Sequence, residues 1–88
     1  MTESQLNHEL GRRIKAIRKA RGITQATLAK AIRSSTPNIA DIESGKNGVR
    51  MWRLLQIAAV FGVEPWQIIH PEWRTQCAQG VTEVEHAM

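Results

Sequence analysis

Eighty-eight residues can bury one modest core and leave no length for a second domain, and 42% hydrophobic against 23% charged residues is the composition of a chain that folds. The net charge is only +4, yet eleven of the twelve Lys and Arg fall between Arg12 and Arg53 against two acids, Asp41 and Glu43; this local excess favours a polyanionic partner, nucleic acid ahead of membrane. One cysteine, Cys77, excludes an internal disulfide and a cysteine-based zinc site, and neither a ~20-residue apolar span nor a basic-then-apolar leader is present, so no metal, no cofactor, no membrane and a cytoplasmic setting are expected.

Leu10, Ile14 and Ile17 recur at i, i+4 and i+7 with basic residues on the other faces, which predicts an amphipathic helix from near Ser4 to Arg21. Gly22 suits the left-handed residue that closes it, and Thr24 suits the cap of a second helix whose inner face is Leu28, Ala29 and Ile32. Ser34 and Ser35 interrupt that pattern with side chains made for turns and caps. A third helix then follows with Ser35 as cap, Pro37 in its first turn, Ile39 and Ile42 facing inward, and Gly45 at its end. The fourth pattern runs from Met51 to Phe61, with Leu54, Leu55, Ile57, Ala58 and Phe61 inward and Trp52 outward, and closes at Gly62. Pro65 opens a fifth, short turn through Ile69 that Pro71 stops. No strand-like alternation competes, so the fold class is all-α, a five-helix domain over residues 1–70 with a tail over 71–88 that is disordered or binds a partner.

The second and third helices are short and joined by a turn of about three residues, a helix-turn-helix in which the two cross at roughly 90–120°. With Ile39 and Ile42 committed to the core, Thr36, Pro37, Asn38 and Asp41 point away from it, and short polar side chains there can enter a major groove and meet base edges.

Residues Leu10 to Ile69 resemble the lambda-repressor and Cro-like helix-turn-helix family, of the xenobiotic-response-element type, through "LGRRIKAIRKARGITQATLAKAI", "NIADIESGK" and "LLQIAAVFGVEPWQII". The resemblance implies that Thr36, Pro37, Asn38 and Asp41 occupy the base-facing positions of the recognition helix. It places Gln25, with Ser35, Lys46, Asn47 and Arg50, on the DNA backbone. Physical chemistry agrees in part: a helix N-terminus aims free N–H groups at a phosphate, Asn38 can pair with adenine, Asp41 can accept from cytosine, and Thr36 can touch a thymine methyl. The resemblance further implies a structural ion pair between Arg18 and Glu43. Two positions depart from the family. Arg33 stands where the turn usually has glycine, with Ser34 after it, so the turn is either strained or shaped differently. Pro37 replaces a hydrogen-bonding side chain, which suits apolar contact or helix placement.

Trp52, Trp66 and Trp73 are candidates for a dimer interface, Trp66 and Trp73 also for completing the core. Together these readings describe a dimeric transcription regulator, most simply a repressor on a palindromic double-stranded operator. Phage-type repressor, restriction-modification controller and antitoxin, the last with a toxin as partner on the tail, stay open at this level. A protein-interaction adaptor on the same fold is the rival. An enzyme is not expected, because no nucleophile with a base, paired acids or metal cluster is visible.

Overall fold

The computed structural model describes residues 2–69. The tail from 71 to 88, with Trp73 and Cys77, lies outside the described residues. Five helices follow in order: α1 (Glu3–Ala20), α2 (Gln25–Ala31), α3 (Thr36–Ser44), α4 (Met51–Phe61) and α5 (Pro65–Ile69). All elements among the described residues are helical.

Each start has a local chemical cause. Thr2 and Gln5 form a reciprocal capping box, Gln5 N–H donating to Thr2 Oγ1 at 3.1 Å and Thr2 N–H to Gln5 Oε1 at 2.8 Å, so α1 begins one residue before the expected Ser4. Thr24 Oγ1 accepts from Thr27 N–H at 3.0 Å to open α2, and Ser35 Oγ accepts from Asn38 N–H at 3.2 Å to open α3. Pro37 lies in the first turn of α3, where no intrahelical bond needs its missing N–H.

Packing joins α1 to α3 and α5, α2 to α3 and α4, and α4 to α5. The largest fully buried side chains are Ile14, Leu28, Ile39, Ile57 and Ile68, one from each helix, so a single core ties all five together. Burying each such residue contributes about 1.5–3 kcal/mol. Leu55 corrects the sequence reading: it is 49% exposed rather than inward. The inner stripe of α4 is Leu54, Ile57, Ala58 and Phe61, whereas Leu55 stands four residues from Met51 and three from Trp52 and joins their outer stripe.

Candidate nucleic-acid interface

The turn between α2 and α3 closes α2 with two crossing backbone bonds. Arg33 N–H donates to Lys30 C=O at 3.2 Å and Ser34 N–H to Ala29 C=O at 2.7 Å, the double bond that terminates helices through one left-handed residue. Arg33 is that residue, at φ 55°, so the glycine-like conformation is kept without the glycine. Arg53 of α4 reaches back to donate its Nη1 to the carbonyl of Ile32, pinning the end of α2 from a distant part of the chain. Its guanidinium also lies 4.3 Å from the centre of the Trp52 ring.

Beyond the turn, α3 divides cleanly. Ile39, Ile42 and Glu43 are buried; Thr36 and Pro37 are exposed, and Asn38 and Asp41 half-exposed. The four base-facing candidates therefore share one outward side. Asn38 Nδ2 donates to Ser34 Oγ at 2.7 Å, which fixes the amide over the first turn. Asp41 has Asn47 Nδ2 at 3.5 Å from its carboxylate, a long contact at the limit of hydrogen bonding. Lys46, Asn47 and Arg50 are exposed in the segment just after α3. Ser35 is engaged as the cap.

Behind α3 lies a bonded cluster. Arg18 Nε donates to Glu43 Oε2 at 2.6 Å and Nη2 to Oε1 at 3.1 Å, while Nη1 donates to the carbonyl of Ile23 at 2.8 Å. Both charged residues are only 7% exposed. Gln25 joins through Nε2 to Glu43 Oε1 at 3.0 Å, so one of its two amide hydrogens is committed inside the protein and the other remains for an outside acceptor. The cluster links α1, the start of α2 and α3.

Near the middle of α1, Arg12 and Arg13 both pair with Glu9, and Arg13 also donates to the carbonyl of Ile69 in α5. The Arg12 hydrogen bond, more than Arg13, holds the Glu9 carboxyl below its usual value. Trp66 is half-buried and lines a groove with Ile17 and Val63, between α1 and α5. Met51, Trp52 and Leu55 form an exposed apolar stripe on α4. Among the described residues no group of three His, Cys, Asp or Glu is placed to hold a metal ion, and no helix is long and apolar enough to cross a membrane. Two features that organise the site were missed by sequence reasoning: Arg53 at Ile32, for which no local signal exists, and Gly11 of α1, which lets the α3 main chain at Ile42 and Glu43 come close and whose place inside a helical pattern was the available hint.

A helix-turn-helix domain family matches residues 9–67. Among solved structures, the restriction-modification controller protein C.AhdI from Aeromonas hydrophila superposes with a TM-score of 0.73 at 24% identity over 77% of this chain and 99% of that one. Two structures of the clp gene regulator ClgR from Corynebacterium glutamicum give TM-scores of 0.70 and 0.73, at 25% and 22% identity, over 73% and 93% of this chain and 83% and 87% of theirs. No curated protein matches. With its outward-facing third helix, its left-handed turn and a family match that spans the core, the chain belongs to the helix-turn-helix family, in its lambda-repressor and Cro-like form.

Proposed function

We infer that this protein is a sequence-specific DNA-binding transcription regulator, a dimeric repressor that reads the major groove with α3. The observation that carries this is the division of α3: Ile39 and Ile42 anchor it, and Thr36, Pro37, Asn38 and Asp41 are presented together on the side away from the core. The basic excess between Arg12 and Arg53 supplies the salt-dependent attraction to phosphates, with Gln25, Ser35, Lys46, Asn47 and Arg50 as the backbone contacts. Occupancy of a promoter excludes polymerase, and the site of action is the cytoplasm, where no cofactor is needed.

Selection of bound duplexes from a random DNA pool tests the reading. An enriched palindrome with half-sites about 34 Å apart supports it. Absence of enrichment, with only weak salt-sensitive binding, moves the weight to a protein-interaction adaptor. Asn38→Ala is expected to relax preference at one base position and to weaken binding to the selected site by about 1–3 kcal/mol. An unchanged selected sequence would place the reading head elsewhere.

For the dimer, the stripe of Met51, Trp52 and Leu55 is the surface we favour, because three large apolar side chains in a row on one helix are costly to leave in water. Trp52→Ser should weaken self-association roughly 30-fold, the loss of about 2 kcal/mol from a central aromatic anchor, as read by sedimentation equilibrium. The adjacent Arg53 guanidinium covers one ring face and leaves the other for a partner. A controller of a restriction-modification system, as C.AhdI is, and an antitoxin that represses its own operon both fit this mode of action.

A further inference from the structure

Four of the five helices end in the same backbone motif, and one of the four breaks its residue rule. In α1 the closing bonds are Gly22 N–H to Lys19 C=O and Ile23 N–H to Arg18 C=O; in α3 they are Gly45 to Ile42 and Lys46 to Asp41; in α4, Gly62 to Ala59 and Val63 to Ala58. The left-handed residue is glycine each time, at φ 68°, 81° and 71°. In α2 the equivalent bonds are Arg33 to Lys30 and Ser34 to Ala29, and the left-handed residue is Arg33. It is the sole non-glycine residue with positive φ among the described residues. A Cβ in that region is unfavourable, and glycine is its ordinary remedy.

Nothing inside the domain offsets this. Arg33 is exposed, and among the described residues its side chain has no hydrogen-bond or ion-pair partner. The C-terminal pole of α2 attracts a cation, but Arg33 stands two residues before Ser35, the cap of α3, whose N-terminal pole repels one, so the helix dipoles largely cancel. A second guanidinium, that of Arg53, is already bound at the carbonyl of the preceding residue, Ile32. Positive charge is thus gathered at a turn that would be more stable without it. Strain kept at an exposed position with no internal compensation points to a role outside the domain.

We propose that Arg33 is a phosphate-binding residue, which anchors the helix-turn-helix on the DNA backbone at the end where α3 enters the groove, and that the fold keeps a strained turn for this contact. The inference rests on the DNA-binding reading above and adds to it a residue and a trade between stability and affinity.

The test is the pair Arg33→Gly and Arg33→Lys in the full chain, measured by thermal unfolding and by titration with a mixed-sequence duplex across a salt series. Arg33→Gly should raise the midpoint of unfolding by about 3–5 °C, strain relief set against the greater freedom of glycine in the unfolded chain. It should also weaken DNA binding about eightfold per protomer at 0.1 M monovalent salt and lower the slope of log K against log salt by about 0.9 for each protomer bound, one phosphate contact apiece. Arg33→Lys keeps both the charge and the strained backbone, and should hold most of the affinity without gaining stability. If the wild type binds the duplex and Arg33→Gly leaves affinity and salt slope unchanged, the proposal is overturned while the DNA-binding reading stands. A wild type that binds no duplex overturns both.

Discussion

Glu43→Ala is expected to remove about 3–5 kcal/mol from the stability of the domain, because it strands the buried guanidinium of Arg18 without a counter-charge. Two of the three Arg18 side-chain hydrogen bonds end on the Glu43 carboxylate, at 2.6 and 3.1 Å, and only the carbonyl of Ile23 would remain. With both side chains almost sealed from water, solvent cannot take over the lost role. Against a typical total of about 5–15 kcal/mol, the loss takes from about a fifth to nearly all of it and brings the weaker end of that range close to unfolding. Urea denaturation at neutral pH measures it. The double replacement Arg18→Met with Glu43→Leu should recover most of the stability, since removing both charges strands neither. A loss below about 1 kcal/mol in Glu43→Ala would mean that the pair behaves as a solvated surface bridge. The variant has a second effect on the interface: Gln25 loses the acceptor that orients its amide, so binding should weaken even where the fold survives at low temperature.

The core and the caps were legible because they are local. Ile39 and Ile42 three residues apart, Leu28 with Ile32 four apart, and Ser35 before Pro37 each fix a helical phase or a boundary within one or two turns of chain. The outward side of α3 follows from that phase alone, which is why Thr36, Pro37, Asn38 and Asp41 could be named together. Leu55 was misplaced for a related reason. A leucine next to Leu54 satisfies an apolar count, but its 100° offset puts it beside Met51 and Trp52, and only the fold decides whether that stripe is covered. The long-range features had no such signature. Arg53 meets Ile32 across 21 residues, and Arg18 meets Glu43 across 25, so the first was not foreseen and the second came only from family resemblance.

Gly11→Ala is the other substitution with a large expected effect, and it acts through backbone rather than charge. Gly11 is buried in the middle of α1, and a Cβ built there would run into the carbonyl oxygen of Ile42, with Glu43 O at 2.6 Å and Glu43 C at 2.8 Å. These are main-chain atoms of α3, which cannot rotate aside as a side chain can; the two helices must separate. Alanine favours an exposed helix interior by up to about 1 kcal/mol over glycine, but overpacking of about 1–3 kcal/mol or more opposes it here, and a net loss near 2 kcal/mol is expected. For a domain of this size that lowers the unfolding midpoint by roughly 8–16 °C, as measured by circular dichroism. An unchanged or higher midpoint would show that α1 and α3 do not approach this closely. The separation also carries a functional signature that a merely unstable variant would lack. Long basic side chains can still reach phosphates from a displaced α3, whereas Asn38 and Thr36 have little reach with which to follow base edges. Below its melting range, Gly11→Ala should therefore lose more affinity for the selected operator than for a mixed-sequence duplex, and an equal loss on both would separate the packing of α1 on α3 from the placement of the reading head.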